Sequence, residues 1–150
     1  MNTDELYKRC QLIDYALTQI NGQNWWLEQR LLSQFETEPD YYHSPIDLSL
    51  DWCSWFIMRM FHFDVLPKEV DFTARSWLRV GIRKKIPMFG DLVVFWRESP
   101  DSWKGHVSIF IGTVGDKLLC LGGNQNNQVK MSLYDADKVI AYVDITEYLP

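Results

Sequence analysis

The first apolar positions of the chain recur at alternating steps of four and three residues. This spacing places them on one face of a helix. Thr3 is a suitable N-cap for that helix, the two acidic residues after it favour the positive end of the helix dipole, and Gly22 ends it. The positions that share the spacing are Leu6, Cys10, Ile13, Leu17 and Ile20.

Three further helices are predicted in the first half of the chain. The apolar residues between positions 26 and 35 indicate a short second helix. From Trp52 onward, pairs of apolar residues recur every four positions, which is typical of a helix with a broad buried face. Asp51 suits the N-cap of that helix. The last of the three is predicted from Thr73 to Val80, where Gly81 stops it.

The pattern changes after Pro87 to short runs of β-branched and aromatic residues separated by turn residues. Such runs predict strands, and Gly115 with Asp116 forms a turn between two of them. Helices followed by an antiparallel sheet of about five strands make an α+β fold, in one domain spanning residues 1–150. The predicted strands are 92–96, 106–111, 118–121, 129–134 and 139–145.

The composition indicates a globular protein and argues against nucleic-acid binding and membrane insertion. The 150 residues are 47% hydrophobic and 15% aromatic, which is enough for a packed core. The net charge of -5 argues against a general nucleic-acid binder. No apolar run approaches the roughly 18 residues of a membrane helix, so we expect no membrane insertion. The acidic start predicts a protein made in the bacterial cytoplasm without a signal peptide.

Basic residues are concentrated in one stretch of the middle of the chain. A solvated surface explains such a group of cations, and a contact for an anionic polymer is the alternative. The members of this group are Arg75, Arg79, Arg83, Lys84 and Lys85.

Cys53 is the first candidate for chemistry. The three cysteines are too scattered for a disulfide framework or a zinc site, so reduced thiols and no metal or other cofactor are expected. Cys53 lies at the second position of its predicted helix, where the helix dipole and the first N–H groups favour a thiolate and an oxyanion. The alternative is that Cys53 packs as a small hydrophobic residue in the core.

The sequence also contains a candidate base for that thiol and candidate residues to orient the base. His106 opens a predicted strand, and Gly105 before it has no side chain to block access to the imidazole. Since the next strand returns along this one, Asn124 or Gln125 can reach the ring and hold its tautomer. A Gly/Asn turn with no catalytic part is the alternative for residues 122–127.

Several segments, in this order, resemble the NlpC-like papain-fold hydrolases, and more narrowly the CHAP-related branch found in phage lysins and antibacterial toxins. The resemblance covers about residues 50 to 145, so residues 1–48 form a helical extension and 49–150 a papain-like core. The segments are Asp51-Trp52-Cys53-Ser54-Trp55-Phe56, Ala74-Arg75-Ser76-Trp77-Leu78, Gly90-Asp91-Leu92-Val93-Val94-Phe95, Gly105-His106-Val107 and Leu121-Gly122-Gly123-Asn124-Gln125.

The resemblance implies catalytic roles for individual residues. It makes Cys53 the nucleophile, His106 the general base and later acid, and Asn124 the orienting residue, with Gln125 as the alternative. A tyrosine upstream of the cysteine binds the oxyanion in some relatives, and Tyr41 or Tyr42 is placed for that role or for simple packing. The tryptophans proposed to line the substrate groove, with core burial as the alternative for the first two, are Trp52, Trp55 and Trp103.

The resemblance also implies a substrate. Peptidoglycan is cut either at the amide that joins the lactyl group to L-alanine or within the stem peptide, in the periplasm or wall of a target cell. A delivered toxin would need an immunity protein as partner, whereas a phage lysin would not. The competing interpretations are a catalytically silent binding module of the same fold and a papain-like hydrolase or acyltransferase with a substrate outside the wall.

Overall fold

The structure is a computed structural model, and it describes residues 1–20, 52–61, 66–126 and 128–149. Several sequence predictions fall outside these ranges: the helix between 26 and 35, the end of the first helix at Gly22, and the N-cap at Asp51. Tyr41 and Tyr42, the candidates for an oxyanion contact, also lie outside the described residues.

The first helix, α1, spans Thr3–Thr18, but it begins and packs differently from the prediction. Asn2, and not Thr3, is the N-cap, because the Asn2 side chain accepts a hydrogen bond of 2.8 Å from the N–H of Glu5. The buried residues of α1 are Arg9, Leu12 and Ala16, whereas the predicted apolar face, with Leu6, is largely exposed.

Buried charge explains why the hydrophobic pattern selected the wrong face of α1. Arg9 is fully buried, and its guanidinium lies 2.7 Å from Asp91 Oδ1, 3.0 Å from Asp144 Oδ2 and 3.0 Å from Glu5 Oε1. A buried cation is tolerated only when carboxylates and hydrogen bonds compensate its lost hydration. These contacts attach α1 to the sheet through a residue that a polar–apolar pattern assigns to the surface.

In the described part of the chain the sheet has six strands, one more than predicted, and the pairings between them are antiparallel. The additional strand pairs with the last one and is only three residues long, too short for an alternating pattern to reveal it. The strand order is β1-β6-β2-β3-β4-β5, so the chain crosses back to place β6 between β1 and β2. The strands are β1 Ile82–Lys84, β2 Leu92–Trp96, β3 Gly105–Val114, β4 Lys117–Gln125, β5 Gln128–Asp135 and β6 Val139–Asp144.

Two apolar clusters lie on the two faces of this sheet. The larger one combines alternate strand residues such as Val107 and Ile109 with α1 and with a second helix, α2, which spans Cys53–Arg59. The smaller one contains Phe95 and Cys120 on the opposite face. Mixed helices and an antiparallel sheet confirm the α+β class. Among the described helices, none has both the length and the hydropathy required to cross a bilayer.

Short 3₁₀ helices connect these elements. The segment predicted as a helix from Thr73 to Val80 is a 3₁₀ helix, Ala74–Arg79, and it contacts β2 and β3. Two further 3₁₀ turns, Ala136–Lys138 and Thr146–Tyr148, flank β6. The sheet, α2 and the Ala74–Arg79 helix together position the side chains of the candidate site.

Candidate active site

Cys53 is the first residue of α2, one position earlier than predicted, because Trp52 is the N-cap. Its side chain is fully buried in the larger core cluster. The N-terminal end of a helix favours negative charge, although a helix of 7 residues supplies a short dipole. Cys53 therefore combines the start of a helix with full burial.

Ser54, the next residue, fixes the start of α2 to the Ala74–Arg79 helix. Its hydroxyl donates a hydrogen bond of 2.6 Å to the carbonyl of Asp71 and accepts one of 2.8 Å from the indole N–H of Trp77. Both Ser54 and Trp77 are fully buried. Two of the sequence segments that carry the family resemblance therefore meet here, and together they hold the backbone of Cys53 in place.

Glycine at position 123 lets α2 approach β4 closely. A Cβ atom at Gly123 would lie 2.6 Å from Cβ of Phe56 and 2.7 Å from a ring carbon of Trp52. Separations below about 3 Å are not tolerated in a packed core without movement of the neighbours. The glycine thus determines how near the start of α2 lies to the strand that carries Gln125.

His106 is the second residue of β3, and only 2% of it is exposed. Its ring lies beside the smaller apolar cluster, with centroids 6.1 Å from Phe95 and 5.3 Å from Tyr134. Val107, the next residue, belongs to the larger cluster with Cys53. Val107 therefore faces the cluster that contains Cys53, whereas the imidazole of His106 lies beside the other cluster.

Gln125 is the side chain that orients His106. Its Oε1 lies 3.2 Å from Nε2 of His106 and accepts a hydrogen bond of 2.7 Å from the hydroxyl of Ser108. Its amide nitrogen donates to two backbone carbonyls, those of Cys120 at 3.3 Å and Lys130 at 2.7 Å. Gln125, the alternative in the sequence analysis, thus occupies the position that the resemblance assigned first to Asn124.

A bulge in β4 explains why Gln125, and not Asn124, faces His106. Strict alternation from Gly122, which faces Ser108, would bring Asn124 to the face of His106. Instead, the register between β4 and β5 shifts between Gly122 and Gln125, and Asn124 has a left-handed φ of 58°. An extra residue in one strand reverses which side chains face a given side. The bulge therefore turns Gln125 onto the His106 side of the sheet.

The Gln125 contacts also determine which imidazole nitrogen carries the proton. Because both carbonyl partners can only accept, the Gln125 nitrogen must point at them and its oxygen must point at His106. Nε2 of neutral His106 then carries the hydrogen, and the hydroxyl oxygen of Tyr134, 3.1 Å away, is a second acceptor for it. Nδ1 keeps its lone pair and faces the guanidinium of Arg97, with Nη2 at 3.5 Å.

The surroundings of His106 favour the neutral ring. Burial, and to a smaller extent the positive charge of Arg97, lower the pKa of His106 to about 4, although the Gln125 hydrogen bond opposes both effects. Since the pKa lies well below neutrality, the ring is an uncharged proton acceptor in the folded protein at pH 7. The arrangement supports a general base more readily than a resting imidazolium–thiolate pair.

Tyr134 is a direct neighbour of this imidazole, because its hydroxyl oxygen lies 3.1 Å from Nε2 of His106. Burial raises the pKa of Tyr134, so the hydroxyl stays protonated at neutral pH.

The three tryptophans proposed for the groove differ in exposure. Trp52 and Trp55 are each 1% exposed and belong to the core, so the burial alternative describes them. Trp103 is 65% exposed, in the loop between β2 and β3, with the ammonium of Lys104 5.9 Å from its ring centroid. Among the three, only Trp103 is positioned to contact a large molecule from solvent.

Gly105 also allows close packing. A Cβ atom there would lie 2.6 Å from the carbonyl oxygen of Phe95 and 3.3 Å from Cγ of Arg75. The close approach of β2 and Arg75 therefore requires a glycine at this position. Arg75 itself braces the β2–β3 loop, since its guanidinium donates to the carbonyls of Lys104, Pro100 and Ser99.

Most of the other cations in the predicted basic group also form ion pairs or hydrogen bonds with nearby residues. Arg79 lies 3.4 Å from Asp71, Arg83 donates to the carbonyl of Leu78, and Lys84 lies 2.8 Å from Asp91. These contacts give the group a part in the fold, in keeping with the solvated-surface interpretation of its exposed members.

A cleft of about 240 Å³ opens beside the imidazole. Tyr134 and His106 form part of its wall, and Arg97 with Lys138 contributes positive charge. Sequence reasoning missed Tyr134, Ser108 and Arg97, because their importance comes from strand pairing and not from a local motif. The alternation along residues 129–134 was the one available signal for Tyr134. No known protein family, curated protein or solved structure matches the chain.

Proposed function

We propose that this chain is a cysteine-dependent amide hydrolase with a papain-like core, and that its substrate is the peptide part of bacterial peptidoglycan. The observation that carries the proposal is the Gln125–His106 contact of 3.2 Å, in which a fully bonded amide holds a neutral imidazole. The resemblance of five sequence segments to NlpC-like and CHAP-related hydrolases supplies the substrate class.

In the proposed cycle, neutral His106 accepts the proton of the Cys53 thiol as the sulfur attacks the amide carbonyl. The tetrahedral intermediate collapses when His106 returns that proton to the leaving amine, which leaves an acyl group on the sulfur. Water then loses a proton to His106 and attacks the thioester carbonyl. When this second tetrahedral intermediate collapses, the C–S bond breaks and His106 returns the proton to the sulfur, which gives a carboxylic acid and the free thiol. Gln125 keeps the ring oriented throughout, since its partners are backbone carbonyls that do not move with the substrate.

The bond that is cut is either the lactyl–L-alanine amide or a bond within the stem peptide. Delivery to the periplasm or wall of a target cell, as an antibacterial toxin or a phage lysin, belongs to the same proposal. A toxin would have an immunity protein as partner in the producing cell.

Digestion of purified peptidoglycan, with mass analysis of the released fragments, tests this function. We expect the wild type and Cys10→Ala, which changes an exposed cysteine, to release peptides. Cys53→Ala and His106→Ala are expected to release none, and circular dichroism checks that each variant is folded. Fragment masses identify the bond. Equal release by all four proteins, or by none, would refute the hydrolase proposal.

A second candidate function is a catalytically silent binding module of the same fold. The complete burial of Cys53 and the 2% exposure of His106 favour it, because a nucleophile must reach its substrate. Cys120 provides an internal reference, since burial raises the pKa of that thiol to about 12. Alkylation of Cys53 no faster than that of Cys120, together with no release of peptides, would support the binding module.

A further inference from the structure

The hydroxyl of Tyr134 is a second contact to the ring nitrogen that Gln125 orients. Its oxygen lies 3.1 Å from Nε2 of His106, and Oε1 of Gln125 lies 3.2 Å from the same atom. Because Nε2 carries the hydrogen of the neutral ring, both oxygens accept from one N–H group. The proposed cycle gives Gln125 a part in the reaction and Tyr134 none.

The topology of the sheet brings Tyr134 to this histidine, although β4 separates β5 from β3. Val139 at the start of β6 pairs with Phe95, and Phe95 pairs with His106. Only the 3 residues Ala136–Lys138 lie between β5 and β6. Tyr134 precedes Val139 by so few residues that roughly 18 Å is the longest span between them. The end of β5 is therefore held near the β2–β3 pair.

Two aromatic neighbours restrict the movement of the Tyr134 ring. Its centroid lies 4.8 Å from that of Phe95 and 5.3 Å from that of His106, which are the separations of packed aromatic pairs. Burial raises the pKa of Tyr134, so the hydroxyl is neutral and adds no charge to the site. The ring thus presents a neutral acceptor to Nε2 from one direction.

The contact gains strength when His106 becomes charged. In the proposed cycle the ring takes a proton from the thiol and becomes an imidazolium, whose positive charge is shared by Nε2. A hydrogen bond with a charged donor is roughly twice as strong as one between neutral groups. Only interactions that strengthen toward the transition state accelerate a reaction. The hydroxyl of Tyr134 meets this condition.

We infer that Tyr134 is a positioning residue for His106, whose hydroxyl shares the Nε2 hydrogen with Gln125 and stabilises the imidazolium. The inference deepens the proposed function and rests on it for the step in which the ring takes up a proton. Tyr134→Phe isolates the role of the hydroxyl, because it keeps the ring that packs on Phe95.

Nitrogen-15 NMR of the imidazole in full-length Cys53→Ala tests the contact without turnover. With Tyr134→Phe added, the Nε2-bound proton should move upfield, because that hydrogen loses one of its two acceptors. Tyr142→Phe is the matched control on β6, where the tyrosine ring packs against Phe110 with centroids 6.2 Å apart. It should leave the signal in place. Equal spectra for the two tyrosine variants would overturn the inference.

Steady-state kinetics in the background that retains Cys53 measures the consequence for the reaction. Soluble muropeptides serve as the substrate, since they contain both candidate bonds. Tyr134→Phe should lower kcat by about tenfold, which is the low end of the range for a hydrogen bond to a charged group. KM should change much less, because the lost contact is to His106. A raised KM with an unchanged kcat would overturn the inference in favour of a substrate-binding tyrosine.

Failure of the function and failure of the inference give different results. An upfield shift in Tyr134→Phe, with no peptide release by the wild type, would refute the hydrolase and retain Tyr134 as the residue that positions His106. An unchanged Nε2–H signal in that variant, with normal release by the wild type, would overturn the inference and retain the hydrolase.

Discussion

Oε1 of Gln125 lies 3.2 Å from Nε2 of His106. Gln125 belongs to β4, where a bulge at Asn124 turns the glutamine toward the imidazole. The amide has partners at both ends, so its orientation does not depend on the histidine. A group held in this way can fix a tautomer and an approach direction at little entropic cost during a reaction.

Gln125→Ala should lower hydrolytic activity by about 10- to 100-fold, the range typical of residues that orient a reactive group. The imidazole would lose the acceptor that keeps the hydrogen on Nε2. Peptide release from peptidoglycan at neutral pH measures the effect. Asn124→Gly is the matched control, because glycine adopts the left-handed φ of 58° at that position without strain. A larger loss in Asn124→Gly than in Gln125→Ala would return the orienting role to Asn124.

Gly123→Ala should destabilise the fold by about 1–3 kcal/mol, since the new methyl group would overlap Phe56 and Trp52. Chemical denaturation measures the free energy of unfolding. Gly112→Ala is the control on the neighbouring strand, where a Cβ atom would meet nothing within 4 Å. Equal stability of the two variants would show that the stability of the fold does not depend on the close approach of α2 to β4 at Gly123.

The stability of the protein should fall as the pH is lowered from about 6.5 to about 4. The pKa of His106 is lowered in the folded state to about 4 from an ordinary value of 6.5, so the unfolded chain binds a proton in this interval and the folded protein does not. The loss is absent well above pH 6.5 and amounts to about 3 kcal/mol by pH 4. Unfolding free energies measured across this interval provide the test.

His106→Gln serves as the comparison for the pH dependence. The variant lacks the titrating ring, so its stability should decline less steeply between pH 6.5 and 4 than that of the wild type. The slope and not the absolute stability is compared, because the substitution also changes packing. Identical slopes would mean that His106 titrates normally in the fold.

Arg9→Met should cost about 3–5 kcal/mol of stability, because it leaves the buried carboxylate of Asp91 without its closest guanidinium partner. Lys8→Met is the control from the same helix. Lys8 lies 3.6 Å from an Asp4 side chain that is 77% exposed, and such surface pairs contribute at most about 1 kcal/mol. Thermal or chemical denaturation of both variants measures the difference. A loss below 1 kcal/mol for Arg9→Met would show that the buried ion pairs do not hold α1 on the sheet.

Local patterns in the sequence predicted much of the architecture. The apolar runs predicted five of the six strands and the buried helix that begins with Cys53, because period-2 and period-3.6 burial leave direct traces in a sequence. The turn at Gly115 and Asp116 was confirmed as well, and Gly115 has the positive φ that such a turn requires. The crossover of β6 to pair with β2 left no such trace.

The sequence by itself determined the residue types available for chemistry and their place on strands and helices, since both follow from composition and short-range periodicity. Only the tertiary structure decided which of them meet. The bulge that selects Gln125 and the contact between Tyr134 and His106 both depend on strand register. Register is a long-range property, because one displaced residue exchanges the side chains that face each side of a sheet.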